Sequence, residues 1–404
     1  MTSDDRERGV ALDAADPLSA FRARFAFPDP DVVYFDGNSL GRMPLSTPAR
    51  LDAMLREEWA GELIRGWEHW LRFPLEVGDR LGALLGAAPG QVAIGDSTTI
   101  NFYRLASAAL RARPGRRAIV TDRANFPTDR YVLEGLADAR GLTIRWLDPD
   151  PVGGPQPAEV AAALDDDVAL VTLSHVNYRS AAIADLPAIT RLAHQAGALV
   201  LWDLSHSGGS VPVGLDEHEV DLAVGCTYKY LNGGPGAPAY LYVRGDLQSE
   251  LHQPIQGWFG QRDQFEMGQG YDPEPDIRRF LAGTPGILAM AAADEGIRIS
   301  AEAGIDAIRA KGIALTEYAI ALHDAWLAPL GCELGSPRDP ARRGAQVAIR
   351  HPSARGLTRA LVARKVIPDF RAPDSIRIGL SPLTTSFTDV WLGLGVLRDL
   401  LQRG

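Results

Sequence analysis

Ala198–Ser207 reads ALVLWDLSHS, and Asp221–Pro238 reads DLAVGCTYKYLNGGPGAP. Each opens as a short apolar run and closes in polar or glycine-rich residues. That is the pattern of a strand buried on both faces that ends in a loop. Working outward, similar runs fall at Gln91–Gly95, Arg117–Thr121, Leu142–Leu147, Val168–Ser174, Leu199–Asp203, Leu222–Cys226 and Ala237–Val243. Amphipathic stretches lie between the earlier ones, at Thr98–Ala112, Thr128–Arg140 and Leu186–Ala196. Strands alternating with helices predict an α/β fold with a mostly parallel central sheet and helices on both faces. Ligands of such sheets sit beyond the carboxyl ends of the strands, so chemistry is expected just after the apolar runs.

Beyond the sheet, His252–Pro285 is rich in Gly, Pro, Gln and aromatic residues and reads as loop. Ile287–Arg309 and Ile313–Trp326 read as helices, Gln346–Arg350 and Ser375–Ile378 as strands, and a closing helix starts at Thr388. The expected organisation is an N-terminal segment (1–55) associated with the small domain, a large domain (56–290) and a smaller α+β C-terminal domain (291–404). The length of 404 residues suits such a pair of domains, and 46% hydrophobic with 23% charged residues is a globular balance. The net charge of -10 argues against a nucleic-acid partner. Only Cys226 and Cys332 are present, too few for a disulfide framework or a four-ligand zinc site. No metal site is expected, and a reducing cytoplasm is the simplest compartment. The polar start Met1–Val10 does not resemble a signal peptide, and no apolar run is long enough to span a membrane.

Lys229 lies just past an apolar run, among Cys226, Tyr228, Tyr230 and Leu231. A lysine in general is a solvated surface residue, but burial disfavours an ammonium, as a lysine forming a Schiff base requires. Asp203 ends the preceding run, where it either caps a turn or holds a charge for chemistry. Together the two have a sharper meaning. A pyridoxal ring draws electrons well only if its nitrogen stays protonated; a carboxylate holds that proton while a lysine binds the other side of the ring. His206 follows at the same strand end, where a histidine serves structure as readily as chemistry. In AIGDSTTINFYRL (Ala93–Leu105) a strand, a turn and a helix start bring Ser97, Thr98 and Thr99 to a helix N-terminus, which seats a phosphate or simply caps the helix. NFPTD (Asn125–Asp129) puts Phe126 where it can stack on a flat ring and Asp129 where it can bond a ring substituent, although Pro-Thr-Asp is also an ordinary helix start.

These stretches, with YFDGNSLG (Tyr34–Gly41), LSHVNYRS (Leu173–Ser180), PIQGWFG (Pro254–Gly260), FLAGTPGIL (Phe280–Leu288) and RIGLSPLTTSF (Arg377–Phe387), resemble the kynureninase family. That family belongs to the class V aminotransferase group of fold-type I pyridoxal-phosphate enzymes. The blocks run in the family's order over nearly the whole chain. The resemblance implies pyridoxal 5'-phosphate as cofactor and hydrolysis of the Cβ–Cγ bond of L-kynurenine, or of its 3-hydroxy form, to anthranilate or 3-hydroxyanthranilate and L-alanine. It implies Lys229 as the Schiff-base lysine and proton carrier, Asp203 on the ring nitrogen, and Tyr228 as an acid. Thr98, Thr99, Tyr228 and His206 would surround the phosphate or cofactor edge, with Phe126 on the ring and Asp129 and Ser174 in support. Trp258 and Thr284 would reach the cofactor of a partner subunit, which implies a homodimer. Arg377 would bind the α-carboxylate of the amino-acid substrate, although a strand arginine at a surface is the plain alternative.

From RGWEHW, Trp67 is the candidate for the substrate-ring wall, with His69 and Trp70 as alternatives that packing explains equally. Threonine rather than an amide at 284 is the feature that would favour the unhydroxylated substrate. Two rivals stand beside this reading. A cysteine desulfurase or selenocysteine lyase shares the group's fold and cofactor but needs a reactive thiol. A non-catalytic binding protein would have no physical need for Lys229, Asp203 and Arg377 together.

Overall fold

The computed structural model describes residues 3–403; Met1 and Thr2 of the polar start, and Gly404, lie outside the described residues. Its largest sheet has seven strands: β1 (Val92–Ile94), β2 (Ala118–Asp122), β3 (Thr143–Leu147), β4 (Val168–Ser174), β5 (Leu199–Asp203), β6 (Leu222–Gly225) and β7 (Tyr240–Val243). Their spatial order is β1-β7-β6-β5-β4-β2-β3. β7 runs antiparallel to both β1 and β6, and every other pairing is parallel.

Apart from the edge strand β3, which is buried only at Leu147, the apolar runs have no polar face because both faces are covered. Along β5, Leu199 and Leu201 join the cluster of Phe102 and Leu105 from helix Thr98–Ala112 and of Leu133 from helix Pro127–Arg140. Val200 and Trp202 join the other cluster, with Leu81 from helix Phe73–Leu85 and Ile189 from helix Leu186–Gln195. This two-residue alternation between layers is what a strand requires. The layers fix strand register, and Ser174 and Asp203 stand as direct neighbours at the ends of β4 and β5.

In the C-terminal part, helices run from Ile287 to Ala303 and from Ile305 to Leu322. The expected break after Arg309 therefore falls earlier, at Gly304, which adopts φ +78°, a conformation costly for any residue with a Cβ. A four-stranded antiparallel sheet follows, in the order Asp369–Arg371, Ser375–Gly379, Gln346–Arg350, Glu333–Leu334. The last helix, Phe387–Leu401, begins one residue before the expected Thr388, after a reciprocal cap between Ser386 and Asp389. Val33 and Phe35 of the N-terminal segment share a cluster with Val347, Ile376, Val390 and Leu394. Among the described residues no helix is long and apolar enough to cross a membrane.

Candidate active site

A cavity of about 380 Å³ opens beyond the carboxyl ends of β4, β5 and β6. Thr98, Thr99, Phe126, Asp129 and Ser174 line it from one side, Asp203, His206, Tyr228 and Lys229 from the other. A larger hollow of about 870 Å³, between Leu71–Leu75 and Phe259–Phe265, contains none of the predicted site residues. Volume alone does not locate chemistry; converging titratable groups do.

After β6 the chain turns back on itself: Gly233 N–H donates to the Thr227 carbonyl and Asn232 N–H to that of Lys229, each at 2.9 Å. Asn232 takes φ +56° here. A Cβ on Gly233 would lie 2.9 Å from the Thr227 carbonyl oxygen, so only glycine fits that turn. Outside it, Gly41 N–H donates to the Tyr228 carbonyl at 2.8 Å, pinning the lysine turn to the N-terminal segment. Lys229 is 9% exposed. Its Nζ lies 3.1 Å from His206 Nε2 and 5.7 Å from the centre of the Phe126 ring. An ammonium only donates, so Nε2 accepts. Burial, then the charges of Lys229, Arg377 and Arg371, hold His206 well below the ordinary histidine range and hence neutral.

Asp203 uses one oxygen to cap its turn, accepting from Ser205 N–H at 2.8 Å, so the capping role exists alongside its place on the cavity wall. Beside it Asp129 is fully buried. Desolvation and the neighbouring Asp203 raise it well above the ordinary carboxylate value. Asn125 organises the flank: its Oδ1 accepts from Phe126 N–H at 2.8 Å and from Ser174 Oγ at 2.7 Å. The Phe126 ring meets the Tyr178 ring edge-on, 5.3 Å between centres.

At the first turn of helix Thr98–Ala112, Ser97, Thr98 and Thr99 all line the cavity, but their hydroxyls are used differently. Ser97 Oγ is the cap, accepting from Ile100 N–H at 3.4 Å, whereas Thr98 Oγ1 is buried on the cavity side without a partner. The Tyr228 phenol is raised by the neighbouring Cys226 and by burial, with Asp203 adding to it, so it holds its proton.

Four predicted residues lie outside this cavity. Trp258 Nε1 donates to Thr284 Oγ1 at 3.2 Å, and the Trp258 ring packs edge-on against Trp67 at 6.2 Å. Trp70 and His69 instead turn to Glu58, at 2.9 and 3.3 Å. Of the three residues in RGWEHW, Trp67 is therefore the one grouped with Trp258. Arg377 is 1% exposed and reaches the Tyr178 carbonyl, Ser39 and Asp369. Sequence reasoning assigned no role to Tyr178, Ser205 or Asp96, which also line the cavity. Their position directly after strands β4, β5 and β1 was the available signal.

Two family descriptions match the chain: aminotransferase class V over residues 79–351 and kynureninase C-terminal domain over residues 308–397. Kynureninase of Burkholderia pseudomallei strain K96243 is 44% identical, covering 98% of this chain and 95% of its own length. Kynureninase of Pseudomonas fluorescens is 43% identical over the same shares. Among solved structures, a cysteine desulfurase from Thermococcus onnurineus NA1 superposes with a TM-score of 0.82 over 98% of both chains at 18% identity. A cystine C–S lyase with cysteine persulfide superposes at 0.79, covering 91% of this chain and 97% of its own, at 20% identity. Those two likenesses concern the fold alone. The full-length identity and the matched C-terminal domain are more specific, and the chain belongs to the kynureninase family of the class V aminotransferase group.

Proposed function

We propose that this protein is a pyridoxal-phosphate-dependent hydrolase that cleaves the Cβ–Cγ bond of L-kynurenine, releasing anthranilate and L-alanine. The observation that carries the reading is the convergence of Lys229, Asp203 and Asp129 on one cavity beside the Phe126 ring. The residues fit the cofactor. Thr98 Oγ1, Asp129 Oδ2 and His206 Nδ1 are buried without protein partners, and each matches a polar edge of a phosphorylated pyridine.

When bound, pyridoxal phosphate supplies an electron sink for the substrate's Cα and Cβ. Lys229 would hold it covalently and, as a free amine, would move protons at the substrate's Cα. Neutral His206 keeps the lysine amine oriented through Nε2. Asp203 would hold the proton on the ring nitrogen, and Phe126, braced by Asn125, would stack on the ring. Thr98 and the amides of its helix N-terminus bind the phosphate. Tyr228 keeps its proton until it is delivered to Cβ of the departing alanine; a placed acid of this kind contributes about a hundredfold or more. Arg377 takes the α-carboxylate, since a guanidinium binds that group through a fork.

The working unit in this reading is a cytoplasmic homodimer. Trp258 and Thr284 do not line their own chain's cavity, and exposed Phe265 (61%) packs edge-on against Trp258, as a surface meant for a second subunit would. Burial raises both Cys226 and Cys332, which disfavours the sulfur-transfer chemistry of a desulfurase. The test is the purified protein with added cofactor. It should show the visible absorbance of lysine-bound pyridoxal phosphate and consume L-kynurenine, and Lys229→Ala should lose both. Sulfur release from cysteine without kynurenine turnover would overturn the proposal.

A further inference from the structure

Arg377 has little donor capacity left over. Its Nη1 donates to the Tyr178 carbonyl at 2.7 Å and its Nη2 to Ser39 Oγ at 2.8 Å and to Asp369 Oδ2. The Asn38 side-chain amide lies 3.0 Å from Nε and accepts from it only with its oxygen turned inward, an orientation that gives up the Asn38 Nδ2 bond to Gln346 Oε1. A guanidinium 1% exposed and so engaged accepts an outside carboxylate only if one of these partners yields. The carbonyl and the hydroxyl are neutral. Two carboxylates face the guanidinium: Asp36 Oδ1 stands 3.8 Å from Nη2, whereas Asp369 is in hydrogen-bond contact and is the one an incoming carboxylate would replace.

Asp369 and Arg377 are direct cross-strand neighbours in the antiparallel pair Asp369–Arg371 and Ser375–Gly379. Arg371, two residues along, points to the same face of the sheet. Its Nη2 lies 2.7 Å from the same oxygen, Asp369 Oδ2, and its guanidinium lies 5.9 Å from the centre of the Tyr178 ring, on the cavity wall. The Nε of Arg371 is buried and has no partner. One carboxylate is thus shared between two arginines, and the second has an unused donor adjacent to the one in use.

We infer that Asp369 is a displaceable internal stand-in for the substrate carboxylate, which moves from Arg377 onto the Nε and Nη2 fork of Arg371 when the amino acid binds. This rests on the reading of Arg377 as the carboxylate site. The move conserves charge pairing: the substrate carboxylate neutralises Arg377, Asp369 neutralises Arg371, and the orphaned Nε gains an acceptor. Affinity for the amino acid is then the difference between two carboxylates competing for one guanidinium, so residue 369 sets substrate affinity without touching the substrate.

The test is titration of the holoenzyme with L-alanine, followed by the cofactor's absorbance, with KM for L-kynurenine measured in parallel. Asp369→Asn removes the competing charge and should tighten L-alanine by about threefold or more, because the pair it removes is 1% and 16% exposed. Arg371→Gln removes the parking place and should weaken it by a similar factor, and this effect should vanish in the Asp369→Asn background. Asp369→Ser serves as a second neutral variant if the asparagine protein folds poorly. A residue that merely braces Arg377 gives the opposite sign, so weaker or unchanged binding in the neutral variants overturns the inference. Arg377→Ala separates the two readings. If it leaves L-alanine affinity intact, the carboxylate site itself is wrong and the stand-in falls with it. If it weakens binding while Asp369→Asn fails to tighten it, only the stand-in is wrong.

Discussion

Replacing Gly41 by alanine tests how closely the N-terminal segment is fitted against the lysine turn. An added Cβ would lie 2.4 Å from the Lys229 carbonyl oxygen, 2.4 Å from Asn232 Oδ1 and 2.7 Å from Asn232 Cα. Ordinary contact begins near 3.4 Å, so the segments must part by about 1 Å. Two of the three obstacles are backbone atoms of the turn that aims Lys229, and the Gly41 N–H to Tyr228 carbonyl bond would stretch with them. Overpacking of this kind destabilises by about 1–3 kcal/mol, which a large domain tolerates. Catalysis tolerates it less, because a displacement of about 1 Å at a reacting group lowers the rate by roughly a hundredfold. The assay is kcat/KM for L-kynurenine, beside the urea midpoint and the cofactor absorbance. The expected result is a folded, cofactor-binding protein with kcat/KM down by about two orders of magnitude. A Gly41→Ala protein within about twofold of the parent would refute the claim that this contact sets the position of Lys229.

Three further outcomes are expected. Asp203→Ala should lower turnover by about 10³ or more at saturating cofactor, and a loss below tenfold would remove its carboxylate from the ring nitrogen. His175, fully buried with Nδ1 2.9 Å from Ser207 Oγ, is pushed down by burial to about 4. The unfolded chain therefore takes up this proton first as pH falls from 6.5, and up to about 3 kcal/mol of stability present above pH 6.5 drains away towards pH 4. Denaturation midpoints should fall less steeply over that window in His175→Gln, and an unchanged slope would contradict the assignment. Cys226 and Cys332 are 3% and 5% exposed, and burial pushes Cys332 up to about 11. Both should resist iodoacetamide at pH 8 until the protein is unfolded, as mass spectrometry would register.

The sheet was legible because its strands are locally consistent. Val168–Ser174 and Leu199–Asp203 are unbroken apolar runs closed by polar residues, and the structure keeps those bounds. Helix Thr98–Ala112 is announced by the Ser97 cap. The Gly304 break was missed because its glycine lies inside a continuous apolar periodicity, and the left-handed backbone that ends the helix leaves no trace in composition. Which hydroxyl bonds the helix backbone and which is left without a partner was also beyond sequence: Ser97 and Thr98 both line the cavity, and only the orientation of the helix start separates them.

What the chain order determines by itself is the set of side chains delivered to the strand ends. Lys229, Asp203, His206, Phe126 and Asp129 each follow an apolar run by a few residues, and a parallel sheet collects such positions along one edge. Tertiary structure alone decides the partnerships made across distant segments. Asp369 faces Arg377 through strand register, Gly41 meets the Lys229 turn through the docking of the N-terminal segment, and Trp258 pairs with Thr284 across a long loop. Local pattern specifies which residues lie at an edge or on a face, whereas charge pairing and close contact depend on distances between segments that the chain brings together only on folding.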